Sequence, residues 1–220
     1  DGYSDVYLTS MGDQKFQYFD PETGGPSYRD ATYERGTTAH RPYTGGDGRP
    51  STGWHAAFGD VDNDGLDDIF VAKGNVEQMP GAAMEDPNNL LIQSLDGSFT
   101  ESGLEAGIAN LARSRGAALM DLNLDGRLDL AVMNRRAQME LYQNTTAQGN
   151  WLIVQLTAPT SNSQSVGSHV ELRLRDQAQT REITLGGGPA SGHAGQDHFG
   201  LGQETKAEIR EHRPSPSSPE

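Results

Sequence analysis

DVDNDGLDD, residues 60–68, decides how this chain is read, and it recurs as DLNLDGRLD at residues 121–129. Both follow the pattern D-x-[DN]-x-D-G-x-x-D. The chain opens on DGYSD, residues 1–5, which repeats the last five positions of that pattern, with Asp1 at loop position 5 and Asp5 at position 9. Positions 1, 3, 5 and 9 bring four side-chain oxygens into one tight turn, where unneutralised carboxylates repel one another. A hard cation relieves that repulsion. Calcium accepts about six to eight oxygens in flexible geometry, so carboxylates, an Asn amide, a backbone carbonyl at position 7 and water suffice. The glycine at position 6 (Gly2, Gly65, Gly126) permits the backbone reversal that wraps an ion. No thiolate or paired imidazole stands nearby, which argues against zinc or copper.

An EF-hand begins in the same way, but it needs a bidentate Glu at loop position 12 and amphipathic helices on both sides. Position 12 is Val71 in one copy and Val132 in the other. Short apolar runs follow each loop: IFVA at 69–72, LAVM at 130–133 and VYL at 6–8. Runs of that length and β-branched content suit buried strands better than helices. WHAAF at 54–58 and GAALM at 116–120 precede the complete loops, so the unit reads as strand, calcium loop, strand.

The 220 residues hold 31 acidic and 17 basic side chains, a formal charge of −14. Ten of the aspartates lie in the three loops, and without them the balance is 21 against 17. The acidity is therefore that of metal sites rather than of a disordered acidic tail. No basic patch offers itself to nucleic acid, and the net field repels a phosphate backbone. Cysteine is absent, which excludes a disulfide framework and thiol chemistry. Calcium can serve as the staple instead, and weak calcium modules work outside the cell, where the ion is plentiful. The compartment is accordingly read as extracellular or periplasmic. No apolar run approaches the ~20 residues of a membrane span.

Position 9 falls at Asp5, Asp68 and Asp129, intervals of 63 and 61 residues. A period of this size with several short strands per unit predicts propeller blades or a similar array. NLLIQ at 89–93 reads as the third strand of the middle unit and GSFT at 97–100 as its fourth, while MELY at 139–142 is the third strand of the next unit. Residues 20–53 and 74–88 are rich in Gly, Pro and polar residues and read as surface insertions. From residue 149 the pattern changes to alternating half-buried strands, WLIVQL at 151–156, VELRL at 170–174 and TREITL at 180–185, followed by a Gly-rich turn at 186–192 and HFGLG at 198–202. The expected fold is all-β: a partial propeller over 1–148, a small antiparallel sandwich or barrel-like domain over 149–208, and a disordered Pro/Ser-rich tail over 209–220.

The hairpins at 58–68 and 120–130 resemble FG-GAP/VCBS repeats, known from the propeller of integrin α-subunits. NWL at 150–152, Asn162 with VGS at 166–168, and HFGLG at 198–202 resemble the ASPIC/UnbV domain, which follows FG-GAP repeats in cartilage acidic protein and in many bacterial secreted proteins. The resemblance implies a calcium-bearing seven-bladed propeller. Its ligand positions fall on Asp60, Asp62, Asp64 and Asp68, and on Asp121, Asn123, Asp125 and Asp129, with carbonyls from Leu66 and Arg127; Asp1 and Asp5 are what remains of a third set. Seven blades need roughly twice this length, so further blades are expected from the rest of a longer chain. Where the family's last strand usually runs into a Trp-Pro-x-Gly turn, this chain has REHRP at 210–214.

No H-E-x-x-H, G-x-S-x-G or phosphate-binding glycine loop occurs, and GGG at 186–188 lacks the context of a dinucleotide fingerprint. Ser191, His193, Asp197 and His198 are the one cluster that could imitate a nucleophile and base. The leading expectation is a non-catalytic extracellular calcium module presenting its loops to a protein or glycan. Two alternatives stand beside it: a calcium-dependent lectin with Tyr28, Tyr33, His40 and Tyr43 as a sugar rim, and an accessory protein or enzyme of periplasmic or natural-product metabolism.

Overall fold

The computed structural model describes residues 4–23, 27–146, 148–159, 162–175, 177–184 and 196–213. Among them there is no α-helix, and the strands form five antiparallel sheets. The first sheet holds β1 (Val6–Leu8), β2 (Lys15–Phe19) and β3 (Tyr28–Asp30) in that order. The second holds β4 (Gly53–Gly59), β5 (Asp68–Lys73), β6 (Asn89–Gln93) and β7 (Phe99–Glu101). The third holds β8 (Ser114–Met120), β9 (Asp129–Asn134) and β10 (Glu140–Tyr142).

These sheets are copies of one unit. Each complete acidic loop joins a strand pair whose last partners are Gly59 with Asp68 and Met120 with Asp129. Both pairs bulge at the same place, once at Trp54 and once at Arg115. The two bulged side chains meet, with the Arg115 guanidinium 4.0 Å from the Trp54 ring centre, a cation–π contact between neighbouring units. The strand expected at 97–100 begins two residues later, because Asp96 and Gly97 form the turn, with the Gly97 N–H donating to Ser94 O.

The units stack face to face. Strand side chains alternate sides, and in β5 both sides are covered. Ile69 and Val71 join Tyr7, Phe16, Leu91 and Phe99 in the core between the first and second sheets. Phe70 and Ala72 join Ala117, Leu119, Leu130 and Val132 in the core between the second and third. That double burial explains why residues 69–72 form an unbroken apolar run. The ends of the stack are open: Leu8 on the first sheet is 50% exposed, and Leu141 on the third is 60% exposed. No closed propeller or barrel is present among the described residues.

The long insertions are pinned from inside. Lys73, at the end of β5, is fully buried and pairs with the buried Asp86 at 3.0 Å. Ser51 Oγ donates to Asp86, and the Thr52 N–H donates to its other oxygen. Asn75 grips the 74–88 segment by donating to the carbonyls of Met79, Ala82 and Ala83.

The C-terminal unit has two small sheets, one of β11 (Asn150–Val154) with β14 (Asp197–Gly202), the other ordered β13 (Gln177–Glu182), β12 (His169–Leu174), β15 (Glu208–His212). They share a core of Val170, Leu172, Leu174, Ile183, Phe199 and Leu201. The boundary expected at residue 208 falls inside β15, so residues 209–212 belong to a strand and not to a tail. β12 has two edges to satisfy, and the charged, exposed β15 fills one of them, as a polar sequence can on a sheet edge. The rest of the expected tail, from 214, lies outside the described residues, as do Leu185 and the glycine turn at 186–192.

Candidate metal centre

The loops wrap in the same way. In the first, Asp60 accepts the N–H groups of Asp64 and Gly65 at 3.0 and 2.7 Å, and in the second Asp121 accepts those of Asp125 and Gly126 at the same distances. At position 3, Asp62 and Asn123 each accept the N–H two residues on. At position 5, Asp64 and Asp125 accept from Leu66 and Arg127, which fixes the residues whose carbonyls were expected to serve as ligands. Position 9 reaches across to the end of a later strand: Asp68 accepts from Gln93 N, Asp129 from Asn144 N, and Asp5 from Phe19 N. That shared reach places Asp5 in the third copy of the motif; Asp1 lies outside the described residues.

Position 4 takes a left-handed backbone, φ 63° at Asn63 and 60° at Leu124, and position 6 does so at Gly65 and Gly126. Asn adopts this conformation readily, whereas Leu does so only at an energetic cost. An Asn before the Asp-Gly pair is the signal for it, which the pattern of acidic residues alone does not reveal.

In the first loop a carboxylate oxygen from each of Asp60, Asp62 and Asp68 lies within 4.8 Å of the others. Asp60 and Asp68 are each only 1% exposed. Burial pushes their carboxyls up to about 7 and about 8, with repulsion from neighbouring aspartates adding to it. Three converging oxygens, two of them buried without a cationic partner among the described residues, fit a hard divalent cation, with Asp64 in the same loop. The second loop is arranged differently. Asp125 is drawn to Arg127 Nη2 at 2.5 Å and to the Asn123 amide at 2.9 Å. Burial works against these contacts, yet together they hold the Asp125 carboxyl below its ordinary range.

The C-terminal unit covers both loops. Gly202 N donates to Asn63 O at 2.9 Å, and Gln148 N donates to Asp62 O at 3.3 Å. Asn63 Nδ2 and His198 Nε2 both reach the carbonyl of Gly126, at 2.9 and 3.2 Å. Arg181 of β13 pairs with Asp67.

Residues 158–210 match the family model described as ASPIC and UnbV. The C-terminal unit is thus supported as an ASPIC/UnbV domain. The match takes in β12, β13, β14 and the start of β15, while β11, the partner of β14, precedes it. No curated protein matches the chain.

Of the reactive cluster, Ser191 and His193 lie outside the described residues, and His198 is buried against Gly126 as a structural donor. The residues of the aromatic rim have these neighbours. Tyr33 lies near His40, with ring centres 6.5 Å apart, but Tyr28 packs on Phe19, and Tyr43 sits over Lys73 with its hydroxyl donating to Asn88 O. A cavity of about 360 Å³ lies beside the first loop, lined by Asp62 and Glu105 with Leu90, Ile92, Leu128 and Tyr142. No helix of the described residues is long and apolar enough to cross a membrane.

Proposed function

We propose that this chain is a calcium-binding, non-catalytic interaction module of the FG-GAP/VCBS type, with its sheets as propeller blades and its ASPIC/UnbV unit seated on their loops. The reading is carried by the convergence of Asp60, Asp62 and Asp68, two of them buried with no ion-pair partner among the described residues. Backbone N–H groups satisfy part of each carboxylate, from Asp64 and Gly65 at Asp60 and from Val61 and Gln93 at Asp68, and a bound cation offsets the mutual repulsion that remains. The stack supports the propeller. The second sheet turns one face to the first sheet and the other to the third, and the outward faces at both ends carry exposed apolar side chains on which further blades can pack. Weak calcium sites and a cysteine-free chain suit an extracellular or periplasmic setting, where loops and open faces meet a protein or glycan partner. Calorimetric titration of calcium into chelator-stripped protein tests the reading. Heat of binding with a raised melting temperature is the expected result, and no heat with an unchanged melting temperature overturns it.

A further inference from the structure

The contacts between the ASPIC/UnbV unit and the first loop fall on the atoms that shape the candidate metal site. Gly200, on β14, stands directly over Asp60. A Cβ at residue 200 would lie 1.8 Å from Asp60 Oδ2 and 2.6 Å from Cγ, so only glycine lets the strand approach this closely. Asn63 gives its carbonyl to Gly202 of the C-terminal unit, and Asp62 gives its own to Gln148, in the link that leads into that unit. The second loop is held as closely, since a Cβ at Gly126 would lie 1.8 Å from Trp151 Nε1 on β11. Gly126 O ties the two loops and the domain together, receiving Asn63 Nδ2 from one side and His198 Nε2 from the other. The backbone path from Asp60 to Asp64 therefore answers to two demands, wrapping an ion and seating β14. A rearrangement of Asp60 or of the turn at Asn63 cannot occur without disturbing Gly200 and Gly202.

Resting on the calcium reading above, we infer that ion binding at residues 60–68 and docking of the ASPIC/UnbV unit are linked, each strengthening the other. In a calcium-rich compartment the two units hold together as one body, and on calcium loss the C-terminal unit loosens from the loops. Linkage is reciprocal: if calcium tightens docking by a given factor, docking tightens calcium by the same factor. Couplings between sites typically span about 5- to 150-fold, and about tenfold is the effect expected here.

The full chain provides the test, by calcium calorimetry together with amide hydrogen exchange in calcium and in EGTA. Calcium should slow exchange at Gln148 and Gly202 about tenfold. Gly200→Ala, which drives a methyl into Asp60, should weaken the calcium site at residues 60–68 by about the same factor. Trp151→Ala is the second variant: it removes a neutral, part-exposed clamp that is no candidate ligand, and it should also weaken that site and speed exchange at Gly202. It decides the matter if Gly200→Ala does not fold. Calcium binding with unchanged exchange at Gln148 and Gly202, and with unaltered affinity in Trp151→Ala, overturns the linkage and leaves the calcium reading standing. Absence of calcium binding in the unaltered chain overturns both.

Discussion

Asp60 and Asp68 make the calcium-free chain sensitive to pH near neutrality. Burial holds their carboxyls at about 7 and about 8 in the folded state, above the ordinary value of 3.8. A group raised in this way stabilises the fold fully below its unfolded pKa, and that contribution is lost as pH rises through the folded one. Calcium-stripped protein should therefore lose stability steadily from about pH 4 to about pH 8, whereas saturating calcium, standing in for the protons, should flatten the profile; urea titrations at several pH values measure both curves. Asp68→Asn removes the buried charge and keeps an acceptor for Gln93 N but not for Val61 N. It should weaken the pH dependence of the stripped protein above about pH 7 and cut its gain from calcium to what the second loop supplies. Leu124 presents a simpler case. It holds φ 60° with 67% of its surface exposed, so Leu124→Asn, matching Asn63, should stabilise by about 0.5–1 kcal/mol in chemical denaturation. The acidic spacing made the two wrapped turns legible in the sequence, since the hydrogen bonds that fold them follow from residue types. The left-handed position 4 was not, because Leu124 gives no hint of the backbone it adopts.

At the scale of elements, the two complete loops share a wrap but not a charge balance. The first has four candidate carboxylates with no basic residue inside the loop, whereas the second has three and brings Arg127 against Asp125. The first should bind calcium more tightly, so Asp60→Ala should remove the high-affinity phase of a calorimetric titration and Asp121→Ala the weaker one. Strands β4 to β6 and β8 to β10 could be read from their apolar runs, which record burial on one or both faces. The anchoring of the insertions could not. Lys73 closes an apolar strand and looks like a solvent-facing end, yet it is buried against Asp86, thirteen residues further on in a segment rich in loop signals. Removing one member leaves the other buried and uncompensated, so Lys73→Ala should cost about 3–5 kcal/mol in urea denaturation. The double variant with Asp86→Ala should cost less than the two singles together. β15 is illegible in the sequence for a related reason. Its polar sequence carries no burial pattern, and it is a strand because β12 offers it an edge.

Across the whole molecule, stacking polarity follows from a single alternation. Ile69 and Val71 face the preceding sheet and Phe70 and Ala72 the following one, so the equivalent residues of β9 divide in the same way. Leu130 and Val132 turn back into the core against the second sheet, whereas Ala131 and Met133 point onward, where Leu141 of β10 extends the same open face. Met133 is 46% exposed and Val132 fully buried, although they are neighbours in the chain. If the third sheet is held only through its backward face, charges on its forward face should be harmless to this chain. Met133→Lys combined with Leu141→Lys should change unfolding free energy by no more than about 0.5 kcal/mol per site. Val132→Lys should cost several times more, because it places an unpaired ammonium between the second and third sheets. Thermal unfolding followed by circular dichroism separates the two outcomes, and equal losses from both variants would mean that the forward face is also packed, contrary to the assigned stack.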